Sequence, residues 1–195
     1  MSVATLLRLD EWAGLEEDEP GELVDGQIVE EEVPDAVHET VVSWLNAFFR
    51  HWLKSQGSGW VFGSELKYGV TPGRGRKPDL SVFLPGRSAP PARGLVVTPP
   101  DVMVEVVSPT PADGRRDRIA KVDDYAAFGV RWYWIVDPVL RAIEILEWTP
   151  RGYLLRVNRS EGKVDLPGLP GVALDLDELW GEVDRLIASA PSESP

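Results

Sequence analysis

The chain has 195 residues, of which 43% are apolar and 27% charged, a composition typical of one globular domain with a buried core. It has no cysteine, which excludes disulfide scaffolds, thiolate zinc sites and cysteine nucleophiles. No apolar run approaches the ~18 residues of a membrane-spanning helix, and no basic segment of a secretory signal opens the chain, so we expect a cytoplasmic protein.

The net charge of −12 argues at first against a nucleic-acid partner, but the charges are unevenly distributed. Residues 10–39 hold thirteen acids and no lysine or arginine, whereas residues 40–159 hold seventeen basic and eleven acidic residues. A mildly basic middle is therefore flanked by acidic ends. This pattern fits either a solvated surface or a central region that meets phosphates.

Hydrophobic periodicity and turn residues predict alternating helices and strands in a single α/β (α+β) domain spanning residues 1–190. Asp25-Gly26 predicts a tight hairpin turn, and the apolar stripe of residues 34–54 predicts the longest helix. The remaining expectations, in chain order, are a helix over 3–13 capped by Thr5, strands over 60–64 and 65–70, a loop over 71–78, a strand over 79–85, an irregular connection over 85–100, a strand over 101–109, a helix over 116–128, strands over 132–138, 141–148 and 152–157, a helix over 175–188, and a disordered tail over 191–195.

Two predicted strands carry a carboxylate where an apolar side chain is expected. Asp79 opens DLSVFLP directly after Pro78, and Glu105 lies among five apolar neighbours in VMVEVV. A buried acid is costly unless it is paired or bound to a metal. Each acid alone fits a solvated strand face or a buried salt bridge. Two adjacent strands, however, can bring both to one point, a pair suited to Mg²⁺.

The predicted helix after these strands carries Asp117, Lys121 and Tyr125 at i, i+4 and i+8, which places all three on one face. Taken alone, this spacing fits a surface salt bridge between Asp117 and Lys121, with Tyr125 partly buried against the sheet.

Four segments in this order and spacing resemble the Uma family of putative restriction endonucleases, within the PD-(D/E)XK nuclease superfamily. They are KPDLSVFLP, DVMVEVVSPT, D-x-x-x-K-x-x-x-Y-x-x-x-GV and WYWIVDP. ELVDGQIV and a helix that opens with His38 also fit, and the resemblance covers roughly residues 5–150. It implies a restriction-endonuclease-like αβββαβ core with a mixed sheet flanked by helices, a divalent metal ion that is Mg²⁺ or Mn²⁺, and hydrolysis of DNA phosphodiester bonds.

Carried over by position, the resemblance makes Asp79 and Glu105 the metal ligands. The superfamily's lysine would lie two residues after Glu105, where this chain has Val107. A known variation moves that lysine to the following helix, which makes Lys121 the third catalytic residue. Further candidates for ligands or water-positioning groups are Glu22, His38 and Glu65.

Two basic clusters precede the candidate catalytic residues, and we expect them to contact DNA phosphates. They comprise Arg74, Arg76 and Lys77 before Asp79, and Arg115, Arg116 and Arg118 before Lys121. No helix-turn-helix or zinc module is present to read a base sequence.

Two other functions remain open at the level of sequence. Val107 at the usual lysine position favours a non-catalytic binding or assembly module, and the acidic ends favour a metal-dependent hydrolase of a small phosphorylated substrate. The alternating aromatics of WYWIVDP predict an aromatic surface on one strand face, and the resemblance implies a homodimer.

Overall fold

The fold is described from a computed structural model, over residues 6–15, 21–29, 33–108 and 116–190. Thr5, Arg115 and the tail 191–195 lie outside the described residues, as does the side chain of Arg116. The helices are α1 (Leu9–Ala13), α2 (Ala36–Gln56), a π-helical turn (Arg116–Ala120) that runs directly into α3 (Lys121–Phe128), and α4 (Leu176–Ser189). No helix in the described part of the chain is long and apolar enough to cross a membrane.

Twelve strands form three sheets over the described residues. They are β1 (Glu22–Val24), β2 (Gln27–Val29), β3 (Trp60–Phe62), β4 (Tyr68–Thr71), β5 (Arg74–Arg76), β6 (Leu80–Phe83), β7 (Val102–Val106), β8 (Trp132–Asp137), β9 (Ala142–Thr149), β10 (Gly152–Arg159), β11 (Lys163–Asp165) and β12 (Ala173–Asp175). The central sheet has the order β10-β9-β8-β7-β6-β3, with β7 and β8 parallel and every other pair antiparallel. This is the predicted mixed sheet flanked by helices.

A second sheet, of order β2-β1-β5-β4, places the N-terminal hairpin beside the strands that precede Asp79. Residues 71–78 are predicted as a loop, but Arg74–Arg76 form β5, which pairs with both β1 and β4. The prediction failed because RGR has no apolar pattern. Its pairing depends on the partner strands, with Leu23 opposite Gly75. Strands β11 and β12 were likewise missed.

The two faces of the central sheet bury different groups. One face packs against α2 and α4 through a large apolar cluster that includes Leu45, Phe49, Trp134 and Leu179. The other face packs against α3 through a smaller cluster built on Tyr68, Phe83, Met103, Tyr125 and Tyr133. The polar side chains between the sheet and α3, including Glu105 and Lys121, are therefore buried.

The aromatic strand β8 does not present the predicted surface. Trp132, Tyr133 and Trp134 are all buried, because helices cover both faces of the sheet. Among the described residues, the exposed tryptophans are Trp60 on β3 and Trp148 on β9. The aromatic surface expected on this strand is therefore wrong, and the homodimer retains only the support of the resemblance.

Strand β5 passes so close to α1 that its glycine is required. A Cβ added to Gly75 would overlap the ring of Trp12, which is buried and donates from Nε1 to the carbonyl of Gly21 at 3.2 Å. We expect Gly75→Ala to lower the free energy of unfolding by about 1–3 kcal/mol, the cost of an overpacked core. Chemical denaturation would measure this change. Gly73→Ala is the matched control, because its added Cβ would meet Asp25 Cα at an ordinary 3.9 Å. Equal stabilities of the two variants would contradict the prediction.

Candidate active site

Asp79 and Glu105 lie side by side in the central sheet, where β6 begins and β7 ends. Leu80 pairs with Val104 in the antiparallel β6–β7 ladder, so continuing that register places Asp79 opposite Glu105. In addition, the backbone N–H of Val106 donates to Asp79 Oδ2 at 2.7 Å. The Asp79 carboxylate is thus held at the residue that follows Glu105.

Lys121, in the first turn of α3, binds Glu105. Its Nζ donates to Glu105 Oε2 at 2.9 Å and lies 3.3 Å from Asp117 Oδ1, one helical turn earlier. The predicted i, i+4 ion pair therefore exists, but it is not on the surface, since Asp117 and Lys121 are only 5% and 3% exposed. Val107 is buried just beyond β7. The resemblance expects a lysine at position 107, but here the ammonium that binds Glu105 belongs to Lys121 of α3.

Tyr125 also binds Glu105, a contact that sequence reasoning assigned only to packing. Its hydroxyl donates to Glu105 Oε1, so both oxygens of this carboxylate accept hydrogen bonds from α3. Burial and then the charge of Glu105 raise the pKa of Tyr125 well above its usual value, so the hydroxyl stays protonated. The i, i+4 spacing from Lys121 could have revealed this role, because both side chains leave the same helix face.

The electrostatics of the site are dominated by buried acids. Burial raises the pKa of Glu105 well above its ordinary value; the charge of Lys121 opposes this, while Asp117, Asp79 and Glu22 add to it. Burial also raises the pKa of Asp117, again against the charge of Lys121. Burial therefore disfavours the ionised form of both carboxylates.

His38 lies beside Asp79 at the opening of α2. Its Nε2 is 3.3 Å from Asp79 Oδ2, and its backbone N–H is capped by Asp35. Burial lowers the pKa of His38, but the hydrogen bond and charge of Asp79 outweigh that effect and raise it overall. His38, a predicted candidate for a ligand or water-positioning group, is thus a direct neighbour of Asp79.

Glu22 is a buried neighbour of Lys121, whereas Glu65 lies at the surface. Glu22 opens β1, is 1% exposed, and its Oε1 lies 3.7 Å from Lys121 Nζ and accepts from the backbone N–H of Lys77 at 2.9 Å. Glu65 is exposed and pairs with the Lys77 side chain at 2.9 Å.

The predicted phosphate-binding residues differ in how accessible they are. Arg76 is 1% exposed and binds Glu22 and Asp124, so a phosphate contact does not fit this side chain. Arg74 and Arg118 are each 30% exposed: Arg74 pairs with Asp25 and Asp124, and Arg118 with Asp137 and Glu144. Lys77 is 12% exposed.

The donor set fits a hard divalent cation. Asp79 and Glu105 offer carboxylate oxygens, and Mg²⁺ needs only one or two of these beside waters and substrate phosphates. A bound cation would also favour the ionised form of Glu105, which burial disfavours. Within the described ranges, no three histidine, aspartate or glutamate side chains are already grouped as ligands of one ion. Two carboxylates suit an ion that takes few protein ligands, such as Mg²⁺.

A mixed sheet whose neighbouring strands carry two acids, with a lysine supplied by the next helix, defines a restriction-endonuclease-like domain. Residues 3–177 match the model of the Uma2 family, described as putative restriction endonuclease, and the chain belongs to that family. This membership supports nuclease function in general.

A solved structure gives the same fold. The chain is similar to a putative nuclease belonging to DUF820 from Anabaena variabilis, with a TM-score of 0.73 and 20% sequence identity. The similarity covers 91% of this chain and 99% of that one. A search of curated proteins finds no match.

Proposed function

We propose that the protein is a divalent-metal-dependent endonuclease that hydrolyses DNA phosphodiester bonds. The observation that carries the proposal is the hydrogen bond from Lys121 to Glu105, because it completes an acid–acid–lysine set from three separate segments. Asp79 and Glu105 would hold Mg²⁺, or Mn²⁺ in its place. The bound ion would polarise a phosphoryl oxygen and lower the pKa of a coordinated water.

The chain's own groups then have distinct tasks. Asp79 is fixed by the Val106 N–H and Glu105 by Tyr125, so two oxygen ligands are oriented before a metal ion arrives. The Lys121 ammonium stands beside Glu105, where it can orient the attacking water and stabilise negative charge on the phosphate. Of the predicted phosphate-binding residues with described side chains, Arg74, Lys77 and Arg118 are partly exposed and would meet the DNA backbone, together with Arg115 and Arg116.

One observation favours a non-catalytic module as the second candidate. Both Glu105 oxygens already accept hydrogen bonds, and the predicted phosphate-binding cations with described side chains are all paired with acids. Such a domain would use the acid–lysine cluster for structure, and cleavage assays would separate the two candidates.

The metal requirement gives a direct test. We expect Mg²⁺ or Mn²⁺ to support cleavage of plasmid DNA, and Ca²⁺ to bind without supporting it. Asp79→Asn should abolish both cleavage and metal binding, because it removes one of the two ligands. Agarose-gel assays and titration calorimetry would measure these effects.

The Asp79→Asn protein, purified identically, also controls for contaminating nucleases. Metal-dependent hydrolysis of nucleotide phosphoesters without cleavage of DNA would instead indicate the small-substrate hydrolase. Thermal melts that ignore divalent ions, together with inactivity on both substrates, would favour the non-catalytic module.

A further inference from the structure

Arg76 is the most deeply buried arginine among the described residues, and it contacts the surroundings of the site at two points. Its Nη1 donates to Glu22 Oε2 at 2.5 Å, and its Nε donates to Asp124 Oδ2 at 2.9 Å. Glu22 belongs to β1 and Asp124 to α3, the helix that carries Lys121. Arg76 on β5 therefore ties the N-terminal sheet to the catalytic helix.

Glu22 is a second buried acid that lies close enough to attract Lys121 away from Glu105. Its Oε1 lies 3.7 Å from Lys121 Nζ, while the Glu105 oxygen bound by the same ammonium lies at 2.9 Å. Both carboxylates are buried, so neither is screened by water. A buried carboxylate without a cation partner attracts the nearest ammonium strongly, because the low polarity of the interior leaves its charge uncompensated.

We propose that Arg76 is a positioning residue that neutralises Glu22 and thereby leaves Lys121 directed at Glu105. With Arg76 present, Glu22 has its own cation and a backbone N–H donor from Lys77. Without it, Glu22 draws Lys121 across the short distance that separates the two acids. The catalytic part of this inference rests on the proposed function, whereas the geometric part does not.

Crystal structures of the wild type and of Arg76→Met test the geometric part. In the variant, the distance from Lys121 Nζ to Glu22 Oε1 should fall into the hydrogen-bonding range of about 2.7–3.2 Å. The distance to Glu105 Oε2 should open beyond that range. Adding Glu22→Gln should return Lys121 to Glu105, since the competing charge is then removed.

Arg74→Met is the matched control for this geometry. Arg74 also donates to Asp124, at 2.8 Å, but its other partner is Asp25 and not Glu22. Losing Arg74 removes one of the contacts between β5 and Asp124 of α3, while Arg76 still neutralises Glu22. Lys121 should therefore remain at Glu105. A displaced lysine in Arg74→Met would show that the tie to α3, and not the charge of Glu22, positions it.

Cleavage assays test the catalytic part. Arg76→Met should lose about 10- to 100-fold in rate, as is common when the support of a site residue is removed, and Glu22→Gln should restore most of it. If Lys121 moves but the wild type does not cleave DNA, the proposed function fails and the positioning inference stands. If the wild type cleaves and Lys121 stays at Glu105 in Arg76→Met, the positioning inference is overturned alone.

Folding of the variant decides the remaining outcome. Should Arg76→Met fail to fold, Arg76→Gln offers a polar replacement that can still bond to Asp124, and the same distances are measured there. If neither variant folds, Arg76 serves the stability of the domain and the positioning inference is overturned.

Discussion

Lys121→Met should reduce the rate of DNA cleavage by about 10²–10³, the usual cost of removing one positioned electrostatic group from an active site. Its Nζ binds Glu105 at 2.9 Å, beside the place proposed for the metal ion. Methionine has similar length and no charge, so the ligands remain while the group that stabilises the attacking water is lost. Metal affinity should persist or rise, because a cation that competes for Glu105 has gone.

Single-turnover cleavage and titration with Mn²⁺ would measure the two effects separately. Lys54→Met is the control, since Lys54 is exposed in the last turn of α2, about 24 Å along that helix from His38 in its first turn. A variant that loses metal binding together with activity would contradict the assigned role, and would make Lys121 a structural partner of Glu105.

The central pair of the site could be predicted from sequence because each member broke a local pattern. Glu105 is an acid inside an apolar strand, and Asp79 stands where a strand opens. Lys121 was predicted from the family resemblance, which allows the lysine to stand on the following helix; taken alone, its i, i+4 spacing from Asp117 fitted a surface ion pair. The structure brings Lys121 to Glu105 as that reasoning required.

The burial of the Asp117–Lys121 pair could not be predicted from the sequence. The Asp117–Lys121 pair looks identical in sequence whether it faces solvent or the sheet. It is buried because Tyr125, Tyr133 and Met103 fill the layer between α3 and β7. Such packing depends on residues far apart in the chain, which no local window contains.

Arg76 illustrates the same limit for electrostatics. In sequence it belongs to a basic cluster with Arg74 and Lys77, which is typical of a phosphate-binding surface. In the fold, β5 pairs with β1 and turns Arg76 toward Glu22 and Asp124. Its partners lie 54 and 48 residues away along the chain, so its role follows from strand pairing and not from its neighbours.

Glu105→Gln should stabilise the metal-free protein relative to the wild type, by an amount that grows with pH. The pKa of Glu105 is raised by burial above the ordinary value of 4.5, so the folded state keeps a proton that the unfolded state loses. Wild-type stability therefore falls as the pH rises from about 4.5 through the raised folded-state pKa. Glutamine has no such titration, so the gap widens across this window and is constant above it.

With Mg²⁺ bound, the wild type should become more stable than Glu105→Gln. At 100 times its dissociation constant, an ion that binds only the folded state adds about 2.7 kcal/mol to the free energy of unfolding. The wild type should gain this amount and Glu105→Gln very little, because one of two ligands is missing. Denaturant titrations across pH, with and without Mg²⁺, measure both effects, and the exposed Glu161→Gln serves as control.

If Glu105→Gln is instead strongly destabilised at every pH and Mg²⁺ stabilises neither protein, Glu105 is one partner of a structural ion pair with Lys121. Losing one partner of a buried pair costs about 3–5 kcal/mol, a change opposite in sign to the stabilisation expected here.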